Sequence, residues 1–485
     1  MNPSQPSTAA PALNGADLLR RLDRLEPSSA HRRLMFQGGL GYTFDSFDGA
    51  LMGYALSAVI ALWSIDAGPA GWLLSSLYFG YLIGALGAGV LADRFGRRRL
   101  MMFALLIFSV FSLLMATATN PTQLFIWRAL SGIGVGAESV LVAPYISEFL
   151  PARYRGRFVA RTVGFLSFGY ILAGVVAAVV VGPHAETGWR IAALITALPV
   201  VLLLWWRKSL PESPRYLISR GRLAEAEQVV RRFESAAPAP QSAHAGATRP
   251  QQAPQDDSGE PAAAGPQASS APEPAKRPTV AQLAALFGPG LARRTLVLWL
   301  IWFTLTGVNY GFASWLPTLL VTAKGFTITK SFLYGLVTAL AQVPGYYIAA
   351  ALIDRLERKW VIALYATGAT LSALLVALTG NEVLLLVGAA CLAAFINGSA
   401  AAYYVYTSEL YPTAIRTTGM GAASAVGRCG AILSPIAIGY FYSVVGFSKV
   451  FLGLVGLLAV AVAVVTVFGE KTAGHSLEHI ESRTA

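Results

Sequence analysis

Cysteine is nearly absent from this chain: two in 485 residues, Cys391 and Cys429, both inside long apolar runs. With no partner outside those runs they give neither a disulfide framework nor a metal site. Histidine is as sparse, and all five (His31, His184, His244, His475, His479) fall in tails or loops. No metal-ligand spacing, phosphate-cradling loop or nucleophile elbow occurs, so an enzyme reading has no residues to rest on, and no metal or cofactor is expected. Charge is scarce too. Asp, Glu, Lys and Arg make up 13% of the chain, about half the share in a usual soluble protein.

What fills the chain instead is apolar sequence, 55% of all residues. It comes in segments of about 20 that follow one another almost without pause, the length that crosses a hydrocarbon core of about 30 Å. Twelve spans are legible: 36–63, 71–92, 100–118, 122–147, 158–182 and 188–207, then 293–322, 330–352, 359–379, 382–409, 417–445 and 446–468. The expected fold is an all-α membrane protein of twelve transmembrane helices.

A net charge of +12 invites a nucleic-acid reading, which the placement of the charges excludes. Thirty of the 37 Lys and Arg lie on the side of the N-terminus, four (Arg190, Lys324, Lys330, Lys449) on the far side and three (Arg128, Arg161, Arg428) within spans. That asymmetry is the positive-inside rule, and it puts both termini in the cytoplasm of an inner membrane. The partner of the basic surface is the lipid bilayer. Residues 1–33 are polar and contain Arg, with no signal-peptide core or cleavage site, so the first span is expected to be retained.

The chain also repeats itself at an offset of 261 residues. Asp93, Arg94 and Arg97 recur as Asp354, Arg355 and Arg358; Tyr145, Ser147, Glu148, Pro151 and Arg155 recur as Tyr406, Ser408, Glu409, Pro412 and Arg416. One shift relates both groups, so the chain holds two copies of one unit, in parallel orientation. A duplicated bundle of membrane helices is the architecture of a secondary transporter. The organisation that follows is a tail (1–33), a six-helix bundle (34–207), a loop (208–292), a second six-helix bundle (293–468) and a tail (469–485). Within the loop, Arg222 to Phe233 reads as a short amphipathic helix, and 237–277, rich in Ala, Pro, Gln and Ser, as a disordered linker.

Between spans two and three stands Gly89-Val-Leu-Ala-Asp93-Arg94-Phe-Gly96-Arg97-Arg98-Arg99, and span four holds Arg128 with Gly132, Gly134 and Gly136. Pro211-Glu212-Ser213-Pro214-Arg215 follows span six, and Glu148-x-x-Pro151-x-x-x-Arg155-Gly156 follows span four. This set resembles the major facilitator superfamily over nearly the whole chain. Within it the set is similar to the branch of sugar porters, organic-ion transporters and bacterial metabolite–proton symporters. The resemblance implies a salt-bridge network closing a cytoplasmic gate: Asp93, Arg97, Glu148 and Arg155 in one half, Asp354, Arg358, Glu409 and Arg416 in the other. Pairs made in one state and broken in the other would set the equilibrium between states; the plainer reading is that these charges fix topology and cap helices. Glu357 stands where the second copy would need its turn Gly.

An ionisable group at mid-bilayer costs at least about 2.5–3.5 kcal/mol, so each one requires a reason. Span one carries Asp45 and Asp48, and span four carries Glu138. Asp48 lies about 18 Å along its helix from Phe36, near the middle. With no His inside the spans, a carboxylate is the natural proton carrier, and Asp48 is favoured by depth. The alternative is a structural acid paired with Arg128, which the resemblance makes the partner of the span-one acids. Asp48 has Asn309 as its repeat counterpart, so the acid is confined to one half.

Arg428 lies about 11 residues into span eleven, in Gly427-Arg428-Cys429-Gly430 with Pro435 beyond. A guanidinium there can pair bidentately with a carboxylate shielded from water. The pattern is similar to span eleven of organic-anion carriers and of bacterial aromatic-acid and nicotinate symporters. Span seven adds Asn309, Tyr310, Phe312 and Trp315; span ten adds Phe395, Asn397, Tyr403, Tyr404 and Tyr406. Aromatic faces with a few polar tips suit a flat monoanion, although most aromatics in a bundle serve packing. Spans five and seven contain no Gln over 161–169 and 301–311, where the sugar porters of this branch carry amides, which weakens a sugar reading. The expected function is proton-coupled uptake of a small organic anion such as nicotinate or hydroxybenzoate by alternating access, in a monomer. A sugar symporter, a drug or organic-ion exporter and a non-transporting sensor are the alternatives.

Overall fold

The computed structural model describes residues 14–184, 186–237, 280–353, 355–412 and 415–472. Residues 1–13, 238–279 and 473–485, the outer parts of both tails and nearly all of the expected linker, lie outside the described residues, as do Asp354 and the side chain of Asp93.

The structure is helical throughout the described residues. A short helix, α1 (Gly15–Asp23), precedes α2 (Ser29–Trp63), α3 (Ala67–Phe95), α4 (Arg97–Met115) and α5 (Pro121–Ser147). The fifth crossing is broken into α6 (Ala152–Gly164), α7 (Leu166–Val176) and a π-turn at Ala177–Val181. The sixth is broken into α8 (Gly188–Thr196) and α9 (Pro199–Ser209), where Pro199 lacks the N–H that a continuous helix needs. On the terminal side follow α10 (Pro214–Ser219), α11 (Leu223–Ser235) and α12 (Val280–Ala285). The second half comprises α13 (Ala292–Lys324), α14 (Ile328–Ile353), α15 (Arg358–Leu378), α16 (Glu382–Leu410) and α17 (Arg416–Phe468). The last is two crossings in one, turned at Gly446, whose φ of 77° suits only glycine comfortably. With that turn and the broken sixth crossing counted, twelve spans result.

Helix limits follow local chemistry more than hydropathy. α2 begins seven residues before the apolar run because Ser28 N–H donates to His31 Nδ1 at 3.1 Å, closing a capping box. Asn120 caps α5 by accepting from Gln123 N–H at 2.9 Å, with Pro121 at the first helical position. Gly96, at φ 97°, makes the tight reversal between α3 and α4.

Inside each half, backbones touch. A Cβ on Gly80 would lie 1.7 Å from Ala129 O, and one on Gly132 would lie 2.1 Å from Leu77 O. A stripe of small residues on α3 and α5 thus replaces side-chain contact with close backbone approach, the packing available where lipid gives no hydrophobic drive. The two halves repeat this plan, α3 on α5 and α4 on α5 matching α14 on α16 and α15 on α16. They meet along α3 with the first part of α17, α2 with α13, and α7 with α14. On the side away from the termini this seam is tight: Ser75 Oγ donates to Ile432 O at 2.6 Å, and a Cβ on Gly71 would lie 2.6 Å from Pro435 O.

The N-terminal stretch is more than a polar tail. Leu18 of α1 is buried with Leu217, Ala226 and Val230, and Arg21 makes two bonds to Glu234 at 2.8 and 2.7 Å. The amphipathic helix expected at Arg222 to Phe233 is α11, whose apolar face covers α1 and α10.

Candidate functional site

Between the halves lies a cavity of about 570 Å³, within the range of small-molecule sites. Its lining comes from the middle of α2 and α3, the end of α6, and the terminal-side parts of α5, α7, α13, α14, α16 and α17. The tight seam closes it from the far side, so it faces the side of the termini.

Of the residues singled out from sequence, Asp45, Asn309, Tyr310, Asn397, Tyr403 and Arg428 line this cavity. Tyr404 does as well, stacked against Tyr403. Trp315 does not: it is buried on the far side, where its Nε1 donates to Pro435 O at 2.8 Å. Tyr406 is also packing, its hydroxyl donating to Glu470 O at 2.9 Å.

Arg428 reaches across the seam. Its Nη2 donates to the Tyr81 hydroxyl of α3 at 2.8 Å, and its guanidinium carbon sits 4.0 Å from the centre of the same ring. Among the described residues no carboxylate pairs with it. A cation facing a cavity, held by neutral phenols, Tyr81 and also Tyr310, keeps its charge available to an anion. Tyr310 stacks obliquely on Tyr78 at 4.8 Å, and Trp302 on Tyr403 at 4.7 Å, giving flat faces nearby.

The three acids of the first half part company. Asp48 and Arg128 are both 1% exposed and lie 3.9 Å apart, away from the cavity lining, an ion pair in which neither Asp48 oxygen makes a hydrogen bond among the described residues. Asp45 borders the cavity, and neither of its oxygens has a hydrogen-bond partner among the described residues. Glu138 is fully buried with both oxygens likewise unbonded, and it packs on the backbone of α2 where Gly41 leaves room. Asp45 and Asp48 stand three apart on α2, offset by only about 60° around its axis, yet one borders the cavity and the other lies against an arginine.

On the terminal side, Arg97 pairs with Glu148 at 2.8 Å and Arg358 with Glu409 at 3.1 Å, so each copy of the repeat brings its cation and acid together. Glu148 also accepts from the Ser213 hydroxyl. Burial pushes its carboxyl above the usual glutamate range, with Arg97 and Ser213 opposing. Arg155 donates to the carbonyls of Ser147 and Leu150, and Arg416 donates to that of Tyr411. The ion pairs described each stay within one half.

Sequence reasoning overlooked the aromatic side of the first half: Tyr42, Tyr78, Tyr81, Tyr170 and, from the second, Trp302 and Tyr346. Tyr78 and Tyr81 carry a usable signal. They stand three apart on α3, on either side of Gly80, which faces α5. A helix with one face committed to backbone packing turns its aromatics elsewhere.

The family described as Sugar (and other) transporter matches residues 62–483. The chain is 35% identical to the niacin transporter NiaP of Acinetobacter baylyi, over 96% of this chain and 99% of that one. It is 31% identical to the 4-hydroxybenzoate transporter PcaK of Pseudomonas aeruginosa, over 88% and 90%. Its fold is that of the xylose transporter XylE from E. coli in a partially occluded inward open form: TM-score 0.70 at 16% identity, over 93% of this chain and all of that one.

Proposed function

The chain belongs to the Sugar (and other) transporter family, and from that premise we propose that it moves a small aromatic carboxylate across the inner membrane together with a proton. The observation that carries this reading is Arg428, a cation on the cavity wall with no carboxylate partner among the described residues. An aromatic acid would take two bonds from the guanidinium and lay its ring against the tyrosines. The relatives named for niacin and 4-hydroxybenzoate agree with that chemistry. For a sugar, the lining supplies two side-chain amides, Asn309 and Asn397, few for a ring of hydroxyls.

The proton would ride on the acids of the first half, with Asp45 receiving it from the cavity and Glu138 beside it. An ionised carboxylate without donors or solvent is costly, and one that carries a proton is not. Proton and anion crossing together cancel net charge. Asp48 would then serve Arg128. Both termini would face the cytoplasm, the two halves of a monomer would rock about the cavity, and the Arg97–Glu148 and Arg358–Glu409 pairs would set the terminal-side gate.

Nicotinate uptake into proteoliposomes under an inward proton gradient tests this. Wild type should accumulate nicotinate and Arg428→Ala should not; wild-type uptake by that variant would overturn the assignment.

A further inference from the structure

A second cavity, of about 310 Å³, lies on the terminal face, outside the transport path. Its walls are the start of α4 (Arg98, Arg99), the segment before α10 (Glu212) and one side of α11 (Arg222, Glu225, Gln228, Arg232). The lining holds four arginines against two glutamates.

Both acids are already engaged. Glu225 takes two bonds from Arg222, at 2.6 and 2.5 Å. Glu212 accepts the backbone N–H of Arg98 at 3.2 Å and that of Ser213 at 3.0 Å, so it caps the first turn of α4. What remains is the positive charge of Arg99 on the bundle side and Arg232 on the α11 side, with the amide of Gln228 between charged neighbours on α11. Neither arginine forms an ion pair among the described residues. Two arginines brought to one concave site from separate elements hold a cost in mutual repulsion that a doubly charged anion removes.

We infer that this cavity binds a phosphate-bearing anion that ties α11 to the start of α4. Planar guanidinium forks match phosphate oxygens bidentately, and Gln228 adds a neutral donor. The site lies where α4 leaves the membrane, so the phosphate belongs either to a soluble anion or to the headgroup of an anionic lipid. Occupancy has a consequence for the gate. Arg98 adjoins Arg97 and Glu212 adjoins Ser213, the two residues that hold Glu148. A bound anion would therefore stiffen the Arg97–Glu148–Ser213 cluster and favour the arrangement in which it is formed.

The test uses the full chain in two settings. Protein in detergent is titrated with inorganic phosphate while Tm is followed. In parallel it is reconstituted in phosphatidylcholine nanodiscs with or without phosphatidylglycerol. Wild type, Arg428→Ala and Arg99→Gln/Arg232→Gln go through both arms, with Arg232→Gln alone, at an exposed position of α11, as the variant that keeps the fold. A Tm rise with phosphate identifies a soluble anion, and a rise only with phosphatidylglycerol identifies a headgroup. In either case Arg428→Ala keeps the rise and the Arg99/Arg232 variants lose most of it, needing about tenfold more ligand for the same shift. A Tm that neither ligand moves, or that moves equally in the variants, overturns the inference. Neither result depends on whether nicotinate is transported.

Discussion

Arg428 of the second half donates to the hydroxyl of Tyr81 in the first, 2.8 Å away, and covers its ring. The group best suited to hold a carboxylate is thus held by a neutral residue from across the seam. An arriving anion would compete for the same guanidinium and loosen a tie between the halves.

Tyr81→Phe keeps the ring and removes the oxygen that accepts from Arg428. Since a hydrogen bond to a charged group contributes about 1.5–3 kcal/mol, releasing Arg428 from this one should lower the KM for nicotinate by about tenfold or more. Uptake kinetics decide it: an unchanged KM would show that the tie does not compete with the anion.

Arg428→Lys retains charge and loses the planar fork. At a site that needs two parallel bonds, KM should rise about tenfold or more, with the protein folded and inserted as before. If Lys supports wild-type KM, the carboxylate is held by charge alone.

Asp45 and Asp48 should fail differently. Asp48→Asn leaves Arg128 buried without its ion partner, a loss of about 3–5 kcal/mol that thermal unfolding would register. Asp45→Asn removes an acid that, unlike Asp48, has no ion pair among the described residues, so Tm should hold while the proton gradient ceases to drive accumulation. Equal Tm values for the two variants would contradict the pairing of Asp48 with Arg128.

Gly80→Ala should destabilise by about 1–3 kcal/mol or more through overpacking, because its Cβ would collide with Ala129 O of α5. Gly156→Ala, with nothing within 4 Å, is the matched control. A fall in Tm confined to Gly80→Ala is the expected result.

Burial lifts the Glu148 carboxyl above the ordinary glutamate value, in spite of Arg97 and Ser213. A carboxyl whose folded pKa exceeds its unfolded one binds its proton more tightly in the fold, so this group adds stability as pH falls through that window. The ion pair with Arg97 is lost over the same window. Glu148→Gln should therefore leave Tm at neutral pH intact or raised and flatten its rise in mild acid, while hydrogen exchange at 94–100 speeds up. A Tm loss at neutral pH in Glu148→Gln would reverse the sign.

Much of the molecule is written in short-range chemistry. Apolar length fixed the twelve crossings, the repeat at 261 residues matched the halves, and Arg97, Glu148, Arg358 and Glu409 were legible because the duplication marked them twice. Arg428 stood out since a charge within an apolar span demands a partner. What sequence could not settle is the rotation of each helix about its axis. That angle is decided where backbones meet, at Gly80 on Ala129 or Gly41 under Glu138, by contacts between residues far apart in the chain. It gave the cavity to Asp45 and the arginine to Asp48, sent Trp315 to the far seam, and turned Tyr81 toward Arg428.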